Sequence, residues 1–355
     1  MRCPQCGEPI GASDAFCENC GAALGALAAD RATSGGLTPP DVAQSEEKQS
    51  ARTHLIAPLH AEPDELPVPV CGDCGGEVGD DGWCTVCGAR ASNGREHLAE
   101  QPSPTVAAVT DKGRVHPRNE DAFAIIAEGT FTALVVCDGV TTATDSDVAS
   151  LAAANAARDL LAAAPRPGGS PGAREAHWSE QLKAAALAAD KAAEQTAAAG
   201  DDNPPSSTFV AAVADGAVIV AAWVGDSRAY WLPDDGPAEQ LSVDDSWASE
   251  QIAAGVPREV AEAGPKAHAI TKWLGIDSPD IDASTTTTVA TAPGWLLVCS
   301  DGLWNYCSAA EDLRALASKQ PTDPLARAEA LVEWANEQGG HDNITVTLAR
   351  ITPEE

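Results

Sequence analysis

FTALVVCDGV, residues 131–140, is a nearly unbroken apolar run that ends in an aspartate and a glycine. A run this short and this apolar reads as a strand buried on both faces. The same pattern recurs along the chain: VAAWVGD (220–226) ends at Asp226, WLLVCSD (295–301) ends at Asp301, and Asp342 precedes NITVTLAR (343–350). A carboxylate beside a core is costly unless something there uses it. Several at strand ends form a hard oxygen donor set, which suits magnesium or manganese better than zinc.

Local context sharpens this. Asp138, Asp226 and Asp301 occur in DG, GDSR and DG, and Asp342 lies in GGHDN. Glycine at such positions lets backbone or substrate approach an ion closely. A further acidic pair, Glu120 and Asp121, sits in RNEDAF just before another strand candidate. Each DG or GD taken alone is explained as an ordinary turn; five acidic motifs in one pattern favour a shared site.

These residues carry a resemblance. TDKGRVHPRNEDAF (110–123), VVCDGV (135–140), WVGDSRAYWL (223–232), HAITKWLG (268–275), LLVCSDGLWNYC (296–307) and GGHDNITVTL (339–348) are similar, in order and spacing, to the motifs of the metal-dependent protein phosphatases, the PPM or protein phosphatase 2C family, bacterial type. The likeness covers a domain at 105–353. It implies an α+β fold, a four-layer α-β-β-α sandwich with a two-metal site between the sheets at one end. The residues themselves agree. Strand candidates fall at 130–137, 207–214, 217–224, 285–291, 294–299 and 343–350, and helix candidates at 147–164, 174–199, 247–254 and 323–337.

The resemblance also implies chemistry. Two Mn2+ or Mg2+ ions about 4 Å apart would activate a water for in-line attack on phosphoserine or phosphothreonine of a protein substrate. Asp138 would bridge the ions, with the Gly139 carbonyl beside it. Asp301 and Asp342 would hold one ion, Asp121 and Glu120 the other, and Asp226 a weaker third. The alternative for Asp226 is a turn carboxylate paired with Arg228. If the protein opposes a bacterial serine/threonine kinase, that kinase or its targets would be the substrate.

Five positions depart from the family pattern. His116 stands where many members carry a phosphate-binding arginine, and Arg118, two residues on, is the substitute; an arginine fork binds phosphate at two points, whereas histidine is charged only part of the time. Val140 replaces a histidine proposed as general acid in eukaryotic-type members. Thr141 and Thr142 replace a Gly-Gly pair, and Asn305 replaces an aspartate for the third ion. The segment 241–275 resembles the family's flap. There Trp247 and Ile252 are expected to pack on the domain, Asp244, Asp245 and Lys266 to face solvent, and His268 to support a turn.

Cysteine use is the second signal. Eight of the 11 cysteines form two blocks, Cys3, Cys6, Cys17 and Cys20, then Cys71, Cys74, Cys84 and Cys87. Each block is CxxC, a short spacer, and CxxC followed by glycine, as tetrahedral zinc-thiolate ribbons require. Blocks this small have almost no core, so metal binding, on the order of 10 kcal/mol, would supply their folding energy. The expected order is a zinc ribbon at 1–25, a linker at 26–68, a second ribbon at 69–92 and a linker at 93–104, with two structural Zn2+ ions. Cys137, Cys299 and Cys307 read as core packing.

Composition bounds the rest. The 355-residue chain is 44% hydrophobic with a formal charge of −31. That charge argues against unaided binding to nucleic acid or an anionic membrane. No apolar run approaches the roughly 18 residues of a membrane span, and no signal-peptide pattern is read, so a cytoplasmic location is expected. The ribbons then read as protein-docking modules. Two other readings stay open: a pseudo-phosphatase that binds phosphoproteins without turnover, and an adaptor in which the ribbons carry the main role.

Overall fold

The computed structural model describes residues 71, 74–79, 83–88, 94–257, 260–261, 266, 269–278 and 281–353. The first expected ribbon with Cys3, Cys6, Cys17 and Cys20, the linker at 26–68, and His268 lie outside the described residues.

Eleven strands pair entirely antiparallel into two sheets among the described residues. One is ordered β1 (His97–Ser103), β2 (Val106–Asp111), β11 (Ile344–Ile351), β10 (Gly294–Cys299), β7 (Arg228–Pro233), β8 (Glu239–Gln240). The other runs β3 (Ala122–Glu128), β4 (Phe131–Cys137), β5 (Phe209–Asp215), β6 (Val218–Val224), β9 (Ser284–Val289). The period of two sorts each strand's side chains into two cores. Leu134, Val136, Val210, Ile219, Trp231, Leu296 and Val298 form a buried layer contributed by both sheets. Their neighbours Val135, Cys137, Phe209 and Val220 pack instead with Trp178 and Leu182 and with the alanines of two long helices.

Those helices are α1 (Ser146–Ala163) and α2 (Pro171–Glu194). The second starts earlier than the expected 174 because Ser170 caps it, accepting from the Ala173 N–H, and Pro171 is preset for a first turn. On the outside of the six-stranded sheet, α4 (Asp301–Trp304), α5 (Ala310–Ser318) and α6 (Pro324–Gln338) bury Leu303, Leu313 and Leu331 against Tyr230, Leu297 and Val346. The short α3 (Trp247–Ala253) lies in the flap. Each fully buried Leu, Val or Trp in these layers contributes about 1.5–3 kcal/mol, and the expected four-layer α-β-β-α sandwich is what results.

Two expectations are corrected. Residues 93–104 are not simply linker, because 97–103 form β1, an edge strand with six of its seven residues exposed. Its polar sequence HLAEQPS buries no face, so it carries no apolar signal. Asp244 and Asp245 do not face solvent: their side chains are only 10% and 14% exposed and are held by Arg228 and Lys272. Cys307 packs against the core of Leu303, Leu313 and Leu331 as expected, although it is only partly buried, unlike Cys137 and Cys299. Lys266 is exposed as expected, and Ile252 packs with Ala248 and Ala261. Among the described residues, no helix is long and apolar enough to cross a membrane.

Candidate metal centre

Antiparallel pairing brings the acidic positions to one end of the sandwich. The register pairs Ala122 with Cys137, which sets Asp121 and Asp138 side by side at the ends of β3 and β4. Phe209 pairs with Val224, so Asp226 emerges at the same end. In the facing sheet Cys299 pairs with Arg228 and with Val346, which delivers Asp301 and Asp342 there too. Glu120 completes the set through its neighbour Asp121.

Several of these residues are held by named partners. Asp121 Oδ2 accepts from Ser300 Oγ and Thr345 Oγ1, both at 2.7 Å, tying a loop of one sheet to strands of the other. Glu120 Oε1 accepts from Ser146 Oγ at 2.9 Å. The Asp138 N–H donates to Thr208 Oγ1 at 3.1 Å. Asn343 organises the loop around Asp342: its Oδ1 accepts from the Glu120 N–H at 2.7 Å, and its Nδ2 donates to the carbonyls of Lys112 and Arg118, each at 2.8 Å. Ser300, Thr345 and Asn343 sit beside quoted motif aspartates, yet their roles depend on contacts across the sheets that no local pattern announces.

Two glycines let the loops close. A Cβ on Gly139 would lie 2.7 Å from the Glu120 carbonyl oxygen, and one on Gly302 would lie 2.0 Å from that of Asn343. The aspartates at 138 and 301 can approach their partners only with glycine following them.

The electrostatics are those of crowded buried acids. Burial, with repulsion from Asp147 and Asp342, pushes Glu120 up to about 7, although Ser146 opposes it. Burial likewise pushes Asp121 up to about 6 and Asp226 up to about 7, the latter aided by Asp244. Asp138 and Asp301 are driven well above the usual carboxylate range, first by burial and then by neighbouring carboxylates. Oδ1 of Asp121 and Oδ1 of Asp301 are buried with no hydrogen-bond donor among the described residues. Buried acceptors without donors and acids this crowded are explained by a cation between them. The all-oxygen donors at Glu120, Asp121, Asp138, Asp226, Asp301 and Asp342, with the Gly139 carbonyl, fit Mn2+ or Mg2+.

A pH dependence follows. Acids whose pKa is raised by folding bind more protons folded than unfolded, so stability falls as pH rises between the two values. For Glu120, Asp121 and Asp226 that window runs from the ordinary values of 4.5, 3.8 and 3.8 up to about 7, 6 and 7. Thermal melts in EDTA are expected to fall in Tm from pH 5 to pH 8, and saturating Mn2+ to remove most of that decline. A flat profile in EDTA would contradict the crowding.

The two candidate phosphate ligands part company. His116 Nε2 lies 3.4 Å from Asp342 Oδ1, at the site. Arg118 is engaged by α1: its Nη2 donates to Asp147 Oδ2 at 2.6 Å, and its side chain is 14% exposed. In this structure the Arg118 guanidinium is buried against α1 and paired with Asp147, its Nε and Nη1 have no hydrogen-bond partner among the described residues, and its charge acts on Glu120. Arg228 is also committed, gripping Asp244 at 2.8 and 2.6 Å and lying over the Trp304 ring at 3.7 Å. Asp226 is therefore not a simple turn carboxylate paired with Arg228. The flap joins the same end, since Asp245 bonds both ways with Gly225, the residue before Asp226. Asn305 Nδ2 donates to Asp301 Oδ2 at 3.1 Å.

A cavity of about 660 Å3 opens at the far end of β7 and β10, beside Pro233 and Trp295. Its arginines are already engaged: Arg350 pairs with Asp234, Arg314 with Glu311, and Arg327 donates to the Pro321 carbonyl.

The second cysteine block converges. The sulfurs of Cys71, Cys74, Cys84 and Cys87 all lie within 4.8 Å of one another, the one group of metal-type ligands so tight among the described residues. The carboxylates are spread more widely around their cleft. N–H groups of Val86 and Cys87 point at Cys84 Sγ from 3.4 and 3.5 Å and pull that thiol down to about 6. Gly75 and Gly88, at φ 73° and 72°, make the turns that aim such amides. Four convergent sulfurs with a thiolate-stabilising backbone fit zinc.

Comparison with known proteins adds independent findings. A family model described as Protein phosphatase 2C matches residues 113–348, and one described as zinc-ribbon domain matches 2–24. The serine/threonine phosphatase stp of Listeria innocua is 35% identical over 140 residues, 39% of this chain and 54% of the relative. The chain thus matches about half the length of that curated relative. The structure of serine/threonine phosphatase Stp1 from Staphylococcus aureus superposes with a TM-score of 0.59 at 25% identity, covering 72% of this chain and 98% of that one. The catalytic domain of the phosphatase PstP, in complex with 2 manganese ions, gives a TM-score of 0.51 at 25% identity over 72% and 99%.

Proposed function

The chain belongs to the protein phosphatase 2C family, and from that premise we propose that it is a metal-dependent serine/threonine phosphoprotein phosphatase whose zinc ribbons dock a protein partner. The observation that carries the reading is the set of strand-end carboxylates, two of them with donor-less buried oxygens, gathered at one end of two facing sheets.

In this reading Asp138, the Gly139 carbonyl, Asp301, Asp342, Asp121 and Glu120 hold two Mn2+ or Mg2+ ions, with Asp226 available to a third. Bound there, the ions supply a water acidic enough to attack at neutral pH and neutralise charge on the phosphoryl oxygens. The protein's own part is orientation. Ser300 and Thr345 fix Asp121 Oδ2, while Oδ1 is buried with no donor among the described residues and is available to an ion. Asn343 locks the Asp342 loop to Glu120. His116 stands beside Asp342 as the nearest side chain for a substrate phosphate. With Val140 in place of a histidine, the leaving hydroxyl takes its proton from solvent or another group. Cys71, Cys74, Cys84 and Cys87 hold one structural Zn2+, and Cys3, Cys6, Cys17 and Cys20 a second. The setting is cytoplasmic, and the substrate is a phosphoprotein, such as a serine/threonine kinase or its targets.

Purified protein is expected to release phosphate from a phosphothreonine peptide in Mn2+ and not in EDTA. The rival reading is a pseudo-phosphatase, favoured by the Asn305 amide that occupies Asp301 Oδ2. Folded, Mn2+-loaded protein without turnover would establish the rival and overturn the enzyme.

A further inference from the structure

Arg95 lies eight positions past Cys87, upstream of the 113–348 family match, in a stretch whose composition offers only a linker. Its guanidinium nevertheless sits where two elements of the metal centre meet. Nη1 donates to the main-chain oxygen of Asp147 at 2.6 Å, and Nη2 donates to the main-chain oxygen of Asp121.

The exchange is reciprocal. Asn119 Nδ2 donates to the Arg95 carbonyl at 2.9 Å, while Asn119 Oδ1 accepts from the Asp121 N–H at 3.2 Å. The next residue, Glu96, accepts from the Lys112 N–H at 2.7 Å. Asp147 also binds Arg118, so the first turn of α1, the Glu120–Asp121 loop and the start of β1 share one polar knot. Asn119 and Asp121 are 0% exposed and Asp147 4%. Charge-assisted bonds in so dry a setting are strong and directional. Asp121 is thereby gripped twice, at its main chain by Arg95 and at Oδ2 by Ser300 and Thr345.

We propose that Arg95 is a positioning residue of the metal centre, clamping the carbonyls of Asp121 and Asp147 so that the Glu120–Asp121 pair is fixed against α1. Arg95 and Glu96, just before β1, are then part of the metal centre's support. A lysine cannot replace it, because one ammonium on a flexible stem does not present a planar fork to two carbonyls. This assignment rests on the phosphatase reading above.

The test is calorimetric titration of Mn2+ into zinc-loaded, Mn-free full-length protein, comparing wild type, Arg95→Ala, Arg95→Lys and Arg158→Ala. Arg158 is a control, since among the described residues its ion pair is with its exposed neighbour Asp159. Both Arg95 variants are expected to bind Mn2+ roughly tenfold or more weakly, as when an outer-shell partner of a metal ligand is lost, and Arg158→Ala to bind as wild type. The Mn2+ concentration for half-maximal rate rises in step, while the rate at saturating Mn2+ is kept. If Arg95→Ala fails to fold by circular dichroism, Arg95→Lys decides. Wild-type affinity in the variants, or an equal loss of Tm with and without Mn2+, overturns the proposal alone. Wild-type protein that binds no Mn2+ overturns the phosphatase reading and this assignment with it.

Discussion

Asp138→Asn is expected to abolish Mn2+-dependent phosphate release while making the metal-free protein more stable at pH 7. Asp138 leaves the end of β4 between Asp121 and the carboxylates of the facing sheet, and its charge is opposed by Asp121, Asp301, Asp342 and Asp226. Without a cation that crowding costs stability; with one, the same charge is what holds the ion. An amide keeps the shape and loses the charge. Losing an outer-shell partner costs about 10–100-fold in metal affinity or activity, so loss of a central ligand should exceed that range. Relief of roughly 1 kcal/mol of repulsion should raise Tm in EDTA by about 2–4 °C. Phosphate release from a phosphothreonine peptide, with paired melts in EDTA and Mn2+, measures both. Retained turnover would remove Asp138 from the metal centre.

Gly302→Ala is expected to lower stability and metal affinity together, although alanine is the better helix former. The intrinsic preference favours alanine by about 1 kcal/mol. Against it, the new Cβ would lie 2.0 Å from the Asn343 carbonyl oxygen and 3.1 Å from Ile344 Cα, both backbone atoms that cannot rotate away. Overpacking of this kind costs about 1–3 kcal/mol. Relief comes by moving α4 away from the start of β11, which separates Asp301 from Asp342. A melt and an Mn2+ titration on the same variant test this. An unchanged or raised Tm would show that the two loops are not packed as closely as the structure places them.

The parts of this architecture with a private signal are those buried on both faces. β4, β5, β6 and β10 are buried along their whole length and almost wholly apolar, so the chain alone marks them. β1 has no such mark because it covers no core, and β7 is masked by the Arg228 and Tyr230 that open it. Asp244 and Asp245 look like a solvated acidic pair in the linear sequence. Only folding brings Arg228 and Lys272 to them. Arg118 and His116, two residues apart, look interchangeable until the backbone sends one under α1 and the other to Asp342.

What the sequence determined by itself is therefore the donor chemistry: acidic residues at the ends of doubly buried strands, glycines where loops must close, and CxxC pairs at ribbon spacing. Residue type and spacing suffice for that, because ligand hardness and strand period are local properties. The tertiary structure decided which groups support the donors. Ser300 and Thr345 on Asp121, Asn343 on Glu120, and Arg95 on the Asp121 main chain join residues up to 224 positions apart. Such pairings arise from the register of two sheets, and register is a property of the whole fold.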